Sequence, residues 1–78
     1  MKAYVLMTAR VGTSPAIQEA IRSWGPDFGI LDCDAVAGTH DVVAVIEAED
    51  PKAIGEIVMT RIQALDGVLG TSTLLAIG

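Results

Sequence analysis

The sequence predicts a small α+β plait, a four-stranded antiparallel sheet with two helices on one face, its elements ordered βαββαβ. Three observations predict it. Two stretches carry apolar residues at helical spacing, and each opens on a capping-type residue followed by Pro, at Ser14-Pro15 and Asp50-Pro51. Four further stretches read as strands and sit around and between the helices in the order a plait requires. The chain has 78 residues and no linker or low-complexity segment, which allows one domain.

The first strand is expected over residues 3–11. Val5, Met7, Ala9 and Val11 alternate with Tyr4, Leu6, Thr8 and Arg10, so both of its faces begin apolar. Thr13-Ser14-Pro15 opens the first helix, with Ser14 as the cap and Pro15 at the first helical position. Ile17, Ala20, Ile21 and Trp24 form its buried stripe, and Gly25-Pro26 ends it. Residues 30–37 read as the second strand, with Asp32 and Asp34 on one face and Leu31, Cys33, Ala35 and Ala37 on the other.

Gly38-Thr39-His40-Asp41 is a turn signal, and residues 42–48, rich in β-branched side chains, complete a hairpin. Asp50-Pro51 starts the second helix, whose stripe is Ile54, Ile57, Val58, Ile62 and Leu65, with Gly67 placed to close it. Residues 70–77 form the last strand. Ala16-Ile17-Gln18-Glu19 and Ala53-Ile54-Gly55-Glu56 occupy the same place in each helix, which suits two strand–helix–strand halves related by a pseudo-twofold axis. The result is the ferredoxin-like plait, with strands in the spatial order 4-1-3-2.

Composition bounds what such a domain does. Hydrophobic residues make up 51% of the chain, and the mean hydropathy is +0.51. A chain this short buries only about 60% of its surface. Because the first and third strands are apolar on both sides, the sheet face away from the helices cannot be polar, and self-association is the expected way of covering it. No apolar run is long enough to cross a bilayer, and the short stretch from Ala3 to Met7 has no cleavage site of the signal-peptide kind after it. A cytoplasmic location follows as the expectation.

The net charge is −5, and Lys2, Arg10, Arg22, Lys52 and Arg61 are scattered, so the chain by itself is expected not to bind nucleic acid. A single Cys allows neither an internal disulfide nor a metal cluster.

Taken in order, Ala3-Tyr4-Val5-Leu6, the G-x-x-D of Gly38 to Asp41, Leu65-Asp66-Gly67-Val68 and the T-x-T of Thr71-Ser72-Thr73 resemble the ligand-binding (RAM) domain of the Lrp/AsnC family over residues 3–77. Asp66 stands where Pro is common in that family. The regulators carry an N-terminal helix-turn-helix, which these residues do not include, so the chain is similar to the family's stand-alone form. The resemblance implies a role in transcription regulation. It also implies dimers formed through the sheets, assembly into an octamer or ring, and an amino acid effector held between dimers near the hairpin turn. Partners would be further copies of the chain and full-length Lrp/AsnC regulators. No cofactor is implied.

Under that resemblance the ligand-binding candidates are Gly38, Thr39, His40 and Asp41, with Thr71 and Thr73. Asp41 would hold the ammonium group of an amino acid, and Thr39 with the turn backbone its carboxylate. The plain alternative is a hairpin turn in which Gly38 supplies backbone freedom. Thr71 and Thr73 project from one face of the last strand, as ligands or as ordinary strand residues. His40 reads as a specificity contact or a solvated turn residue, and Cys33 as a buried small apolar group.

Asp32 and Asp34 read as charges protecting an edge strand rather than as metal ligands. Trp24 and Met59 read as core or interface packing. An enzyme of the cofactor-free oxygenase or isomerase type is the competing function, but no nucleophile–base pair is visible, and the chain has one His, one Tyr and no Asn. A purely structural oligomer is the third reading. The ACT domain shares the plait but opens its first helix with Pro-Gly, whereas Gly25-Pro26 closes one here.

Overall fold

The computed structural model describes residues 1–78. β1 (Lys2–Ala9) leads into α1 (Ser14–Trp24), then β2 (Ile30–Ala35), β3 (Val42–Glu47), α2 (Pro51–Ile57) and β4 (Val68–Leu75). A 3₁₀ turn, Pro26–Phe28, follows α1, and a π-helical turn, Val58–Ile62, continues α2. The sheet runs β2-β3-β1-β4 with every pair antiparallel, which is the predicted order.

Strand register decides what each face carries. Val5 lies between Ala44 and Thr73, and Met7 between Val42 and Thr71, so these residues share the face beneath the helices. Ala3, Val5, Met7, Val42, Ala44 and Ile46 are all buried there. Ile17 and Ile21 of α1 pack on them, as do Ile54, Val58 and Ile62 from the second helical segment. Each such isoleucine contributes about 1.5–3 kcal/mol by leaving water. Ile17 and Ile54, equivalent in the weak internal repeat, are 2% and 1% exposed.

The opposite face carries Tyr4, Leu6, Val43, Val45 and Leu74 in adjacent registers: Tyr4 pairs with both Val45 and Leu74, and Leu6 with Val43. No element covers them, and Leu74 is 53% exposed.

The two sheet edges are treated differently. On β2 the Cys33 carbonyl accepts from Arg22 Nε at 2.7 Å, the Cys33 N–H donates to Asp32 at 2.9 Å, and the Ala35 N–H donates to Gln18 at 2.6 Å. Arg22 also pairs with Asp34 at 3.0 Å. β4 forms the other edge, and residues 67–78 include no charged side chain.

Several expected boundaries shift, each for a visible reason. β1 ends at Ala9 rather than Val11, because the register breaks between Thr8 and Ala9 and the Arg10 N–H turns to the Gly67 carbonyl at 2.7 Å. Ser14 is not the cap of α1. Thr13 holds that position, and its hydroxyl donates to the Arg10 carbonyl at 2.7 Å instead of accepting from the helix. β2 stops at Ala35, and a bulge between Ile30 and Asp32 takes Leu31 out of the alternation that was to place it with Cys33.

The second helical segment ends at Ile62, so Gly67, with φ +96°, closes the turn into β4 rather than the helix. β4 is shifted two residues toward the N-terminus of its expected span, and Ile77 lies wholly exposed beyond it. Met59, expected in core or interface packing, is 69% exposed and does not belong to the core.

Candidate functional site

The hairpin residues gather at the sheet end where β1 loses its register. Gly38 has φ +147°, a conformation that favours glycine, which supports the backbone-freedom reading of that residue. Gly38 and Thr39 are exposed and His40 is half-buried. Thr39 Oγ1 and His40 Nδ1 lie 3.0 Å apart.

Asp41 is the most engaged of the four. Its N–H donates to the Met7 carbonyl at 2.8 Å, its carbonyl accepts from Val36 N–H at 2.9 Å, and its Oδ2 accepts from Ala9 N–H at 2.7 Å. One carboxylate oxygen therefore takes the place of the next ladder partner where the β1–β3 pairing ends at Met7 and Val42. Oδ1 has no hydrogen-bond partner within the chain. Asp41 thus fastens the hairpin to β1, a role the turn reading did not include.

Thr71 and Thr73 share a face, as expected, and that face is the helix side. Thr71 Oγ1 accepts from Gln63 Nε2 at 2.9 Å. Asp41 precedes Val42, and Val42 and Thr71 flank Met7 from opposite sides. The hairpin and Thr71 are therefore two strand spacings apart, about 10 Å. The six predicted residues share one end of the sheet only in part, because Thr73 lies a full pleat further along β4.

Two open grooves flank the segment 63–70. One, of about 240 Å³, is lined by Thr13, Ala16, Ile17, Ala20, Leu65 and Asp66. The other, of about 270 Å³, is lined by Gln63, Val68, Leu69 and Gly70. None of the six predicted residues lines either groove. Gln63 is the residue the sequence reading missed: it borders the second groove and binds a predicted threonine. Its reach depends on the π-helical turn, whose Gln63 N–H bonds the Val58 carbonyl at 2.8 Å, and apolar spacing does not signal such a turn.

Beside the first groove, Arg10 pairs with Asp66 at 3.1 Å. The Cys33 thiol is pushed up to about 11, chiefly by burial. Arg22 pulls it down, and Asp34 and Asp32 push it up. It is a packed core group, as the sequence reading held. No cluster of three or more His, Cys, Asp or Glu side chains is arranged to hold a metal. No helix is long and apolar enough to cross a membrane.

Comparison with known proteins places this geometry. The family model of the Lrp/AsnC ligand binding domain matches residues 2–78. Protein TTHA0845 from Thermus thermophilus superposes with a TM-score of 0.87 at 31% identity, over 99% of this chain and 92% of its own. AsnC of E. coli superposes with a TM-score of 0.86 at 13% identity, over 99% of this chain and 50% of its own. The transcriptional regulator NMB0573 of Neisseria meningitidis, solved as an L-Met complex, gives a TM-score of 0.81 at 18% identity, over 99% of this chain and 49% of its own. No curated protein matches the sequence. The match along nearly the whole length, with the plait beneath it, means that this chain belongs to the Lrp/AsnC ligand binding domain family.

Proposed function

We propose that the chain is an amino-acid-sensing and assembly module in transcription control, which pairs through its bare sheet face and holds its effector between copies. The observation that carries this reading is the apolar face formed by Tyr4, Leu6, Val43, Val45 and Leu74, which no part of the chain covers. A soluble domain does not keep such a surface in water when a second copy can cover it.

The site chemistry follows from the same incompleteness. Asp41 offers one free carboxylate oxygen for an ammonium group, and the hydroxyls of Thr39, Thr71 and Thr73 are donors for a carboxylate. In one chain these groups line no common cavity, so the pocket closes only when copies come together. His40 stands beside Thr39 as a specificity contact. The chain acts without a cofactor and without catalysis, and its one thiol is held protonated in the core. Its net charge of −5 weighs against direct contact with DNA, and control of transcription would then pass through other Lrp/AsnC regulators in the cytoplasm.

Native mass spectrometry with and without the twenty amino acids tests this. An oligomer that retains one amino acid, at no more than one per subunit, is the expected result, with L-methionine a rational first probe. A stable monomer would remove the architecture, and an oligomer that retains nothing would leave a scaffold in place of a sensor.

A further inference from the structure

Asp66 is the only aspartate in the chain that is followed by Gly. It lies in the turn between the second helical segment and β4, and its side chain is 91% exposed. The carboxyl carbon of an aspartate lies within reach of the backbone nitrogen of the next residue, and the two can close into a succinimide ring. A side chain on that next residue crowds the approach, and Gly has none. A hydrogen bond from the N–H also holds the nitrogen back, and the Gly67 N–H makes none within the chain. A buried backbone donor without a partner is rare, and Gly67 is buried.

The other aspartates lack this combination. The N–H after Asp27, on Phe28, donates to the Gly25 carbonyl at 3.2 Å. In β2, the Cys33 N–H donates to Asp32 at 2.9 Å and the Ala35 N–H to Gln18 at 2.6 Å. Val42, after Asp41, lies in the sheet opposite Met7. Pro51, after Asp50, has no N–H.

Arg10 holds the turn from both sides. Its guanidinium pairs with the Asp66 carboxylate at 3.1 Å, and its backbone N–H donates to the Gly67 carbonyl at 2.7 Å. The pair keeps the carboxylate turned outward, so the ring closes only when the turn opens locally.

We propose that Asp66-Gly67 is a site of spontaneous succinimide formation and conversion to isoaspartate, and that Arg10 restrains it. From the acid form of Asp66, the Gly67 nitrogen attacks Cγ. The N–Cγ bond forms, the Cγ–OH bond breaks, and the hydroxyl leaves with the amide hydrogen as water. A second water opens the ring. Entry at Cγ restores aspartate, whereas entry at the Asp66 main-chain carbonyl carbon leaves the backbone running through the former side chain, one carbon longer. Nothing is oxidised or reduced, and water is the only reagent. The extra carbon falls where the fold has no room: a Cβ on Gly67 would lie 2.6 Å from Thr13 Oγ1. Such a covalent change pulls apart the junction of β1, α1 and β4 that Arg10, Thr13 and Gly67 form. The inference does not rest on the function proposed above.

Ageing the full chain at neutral pH for several weeks tests it. Isoaspartate is read by transfer of a labelled methyl group from a protein isoaspartate methyltransferase, and its position by peptide mass mapping. Label is expected to accumulate at Asp66, with a fraction of the same peptide one water lighter. Asp66→Glu, which keeps a carboxylate for Arg10 but would need a larger ring, is expected to reduce the label to background. Arg10→Ala is expected to raise the rate several-fold. Asp50→Ala, which loosens the fold without touching this turn, is expected to leave the rate unchanged. Circular dichroism confirms that each variant is folded. Label absent from Asp66, label that survives Asp66→Glu, a rate unmoved by Arg10→Ala, or equal acceleration by Asp50→Ala overturns the proposal.

Discussion

At the residue scale, Asp41 and Cys33 show how a polar group is read differently once its neighbours are known. Asp41 Oδ2 completes the bonding of the Ala9 N–H. Asp41→Ala orphans that donor and is expected to destabilise the fold by about 1–3 kcal/mol in urea titration. Asp41→Asn keeps an acceptor and is expected to recover most of that stability while losing the charge. If the carboxylate binds an effector ammonium, the Asn variant is folded but weak in calorimetric titration, and equal affinity in the two proteins would take Asp41 out of the site. Cys33 gives a pH test. Its folded value of about 11 lies above its ordinary 9.0, so the fold favours the protonated thiol. The contribution, about 2–3 kcal/mol, is full below pH 9 and is lost as the pH rises toward 11. Cys33→Ala is expected to flatten the stability curve across that window, as measured by denaturation at stepped pH.

At the element scale, the two helices open alike in sequence and differently in structure. Asp50 accepts from the Ala53 N–H at 2.8 Å and caps α2. The matching position before α1 holds Thr13, which donates backward to the Arg10 carbonyl. Asp50→Ala is therefore expected to cost about 1 kcal/mol, and Ser14→Ala close to nothing, in thermal or chemical melts. Apolar periodicity located both helices and all four strands, because burial of a stripe or a face is a property of spacing. It could not place the π-helical turn, which keeps Ile54, Val58 and Ile62 on one side while setting Gln63 over Thr71. It also missed the Leu31 bulge, since one extra residue leaves composition untouched. The candidate site was legible as residue types, while Asp41's bond to Ala9 joins residues that only the sheet brings together.

At the scale of the whole molecule, the sequence made the main feature visible in advance: strands apolar on both sides in a chain with helices enough for one face. The structure puts Leu6 between Val43 and Ser72, near the middle of that bare surface. Leu6→Glu is expected at least to halve the mass of the assembly in sedimentation, with the helix-side core and the circular dichroism spectrum intact. A mass equal to that of the native protein would show that the sheet face is not where copies meet.

The unequal edges of the sheet set a limit on how such copies can add. Arg22, Asp32 and Gln18 take up the Cys33 carbonyl, the Cys33 N–H and the Ala35 N–H on the β2 edge, while β4 has no charged side chain along it. An endless ribbon needs every unit to be joined on both flanks. With one available edge, pairing strand to strand between copies of this chain would stop at a pair and not run on into a ribbon.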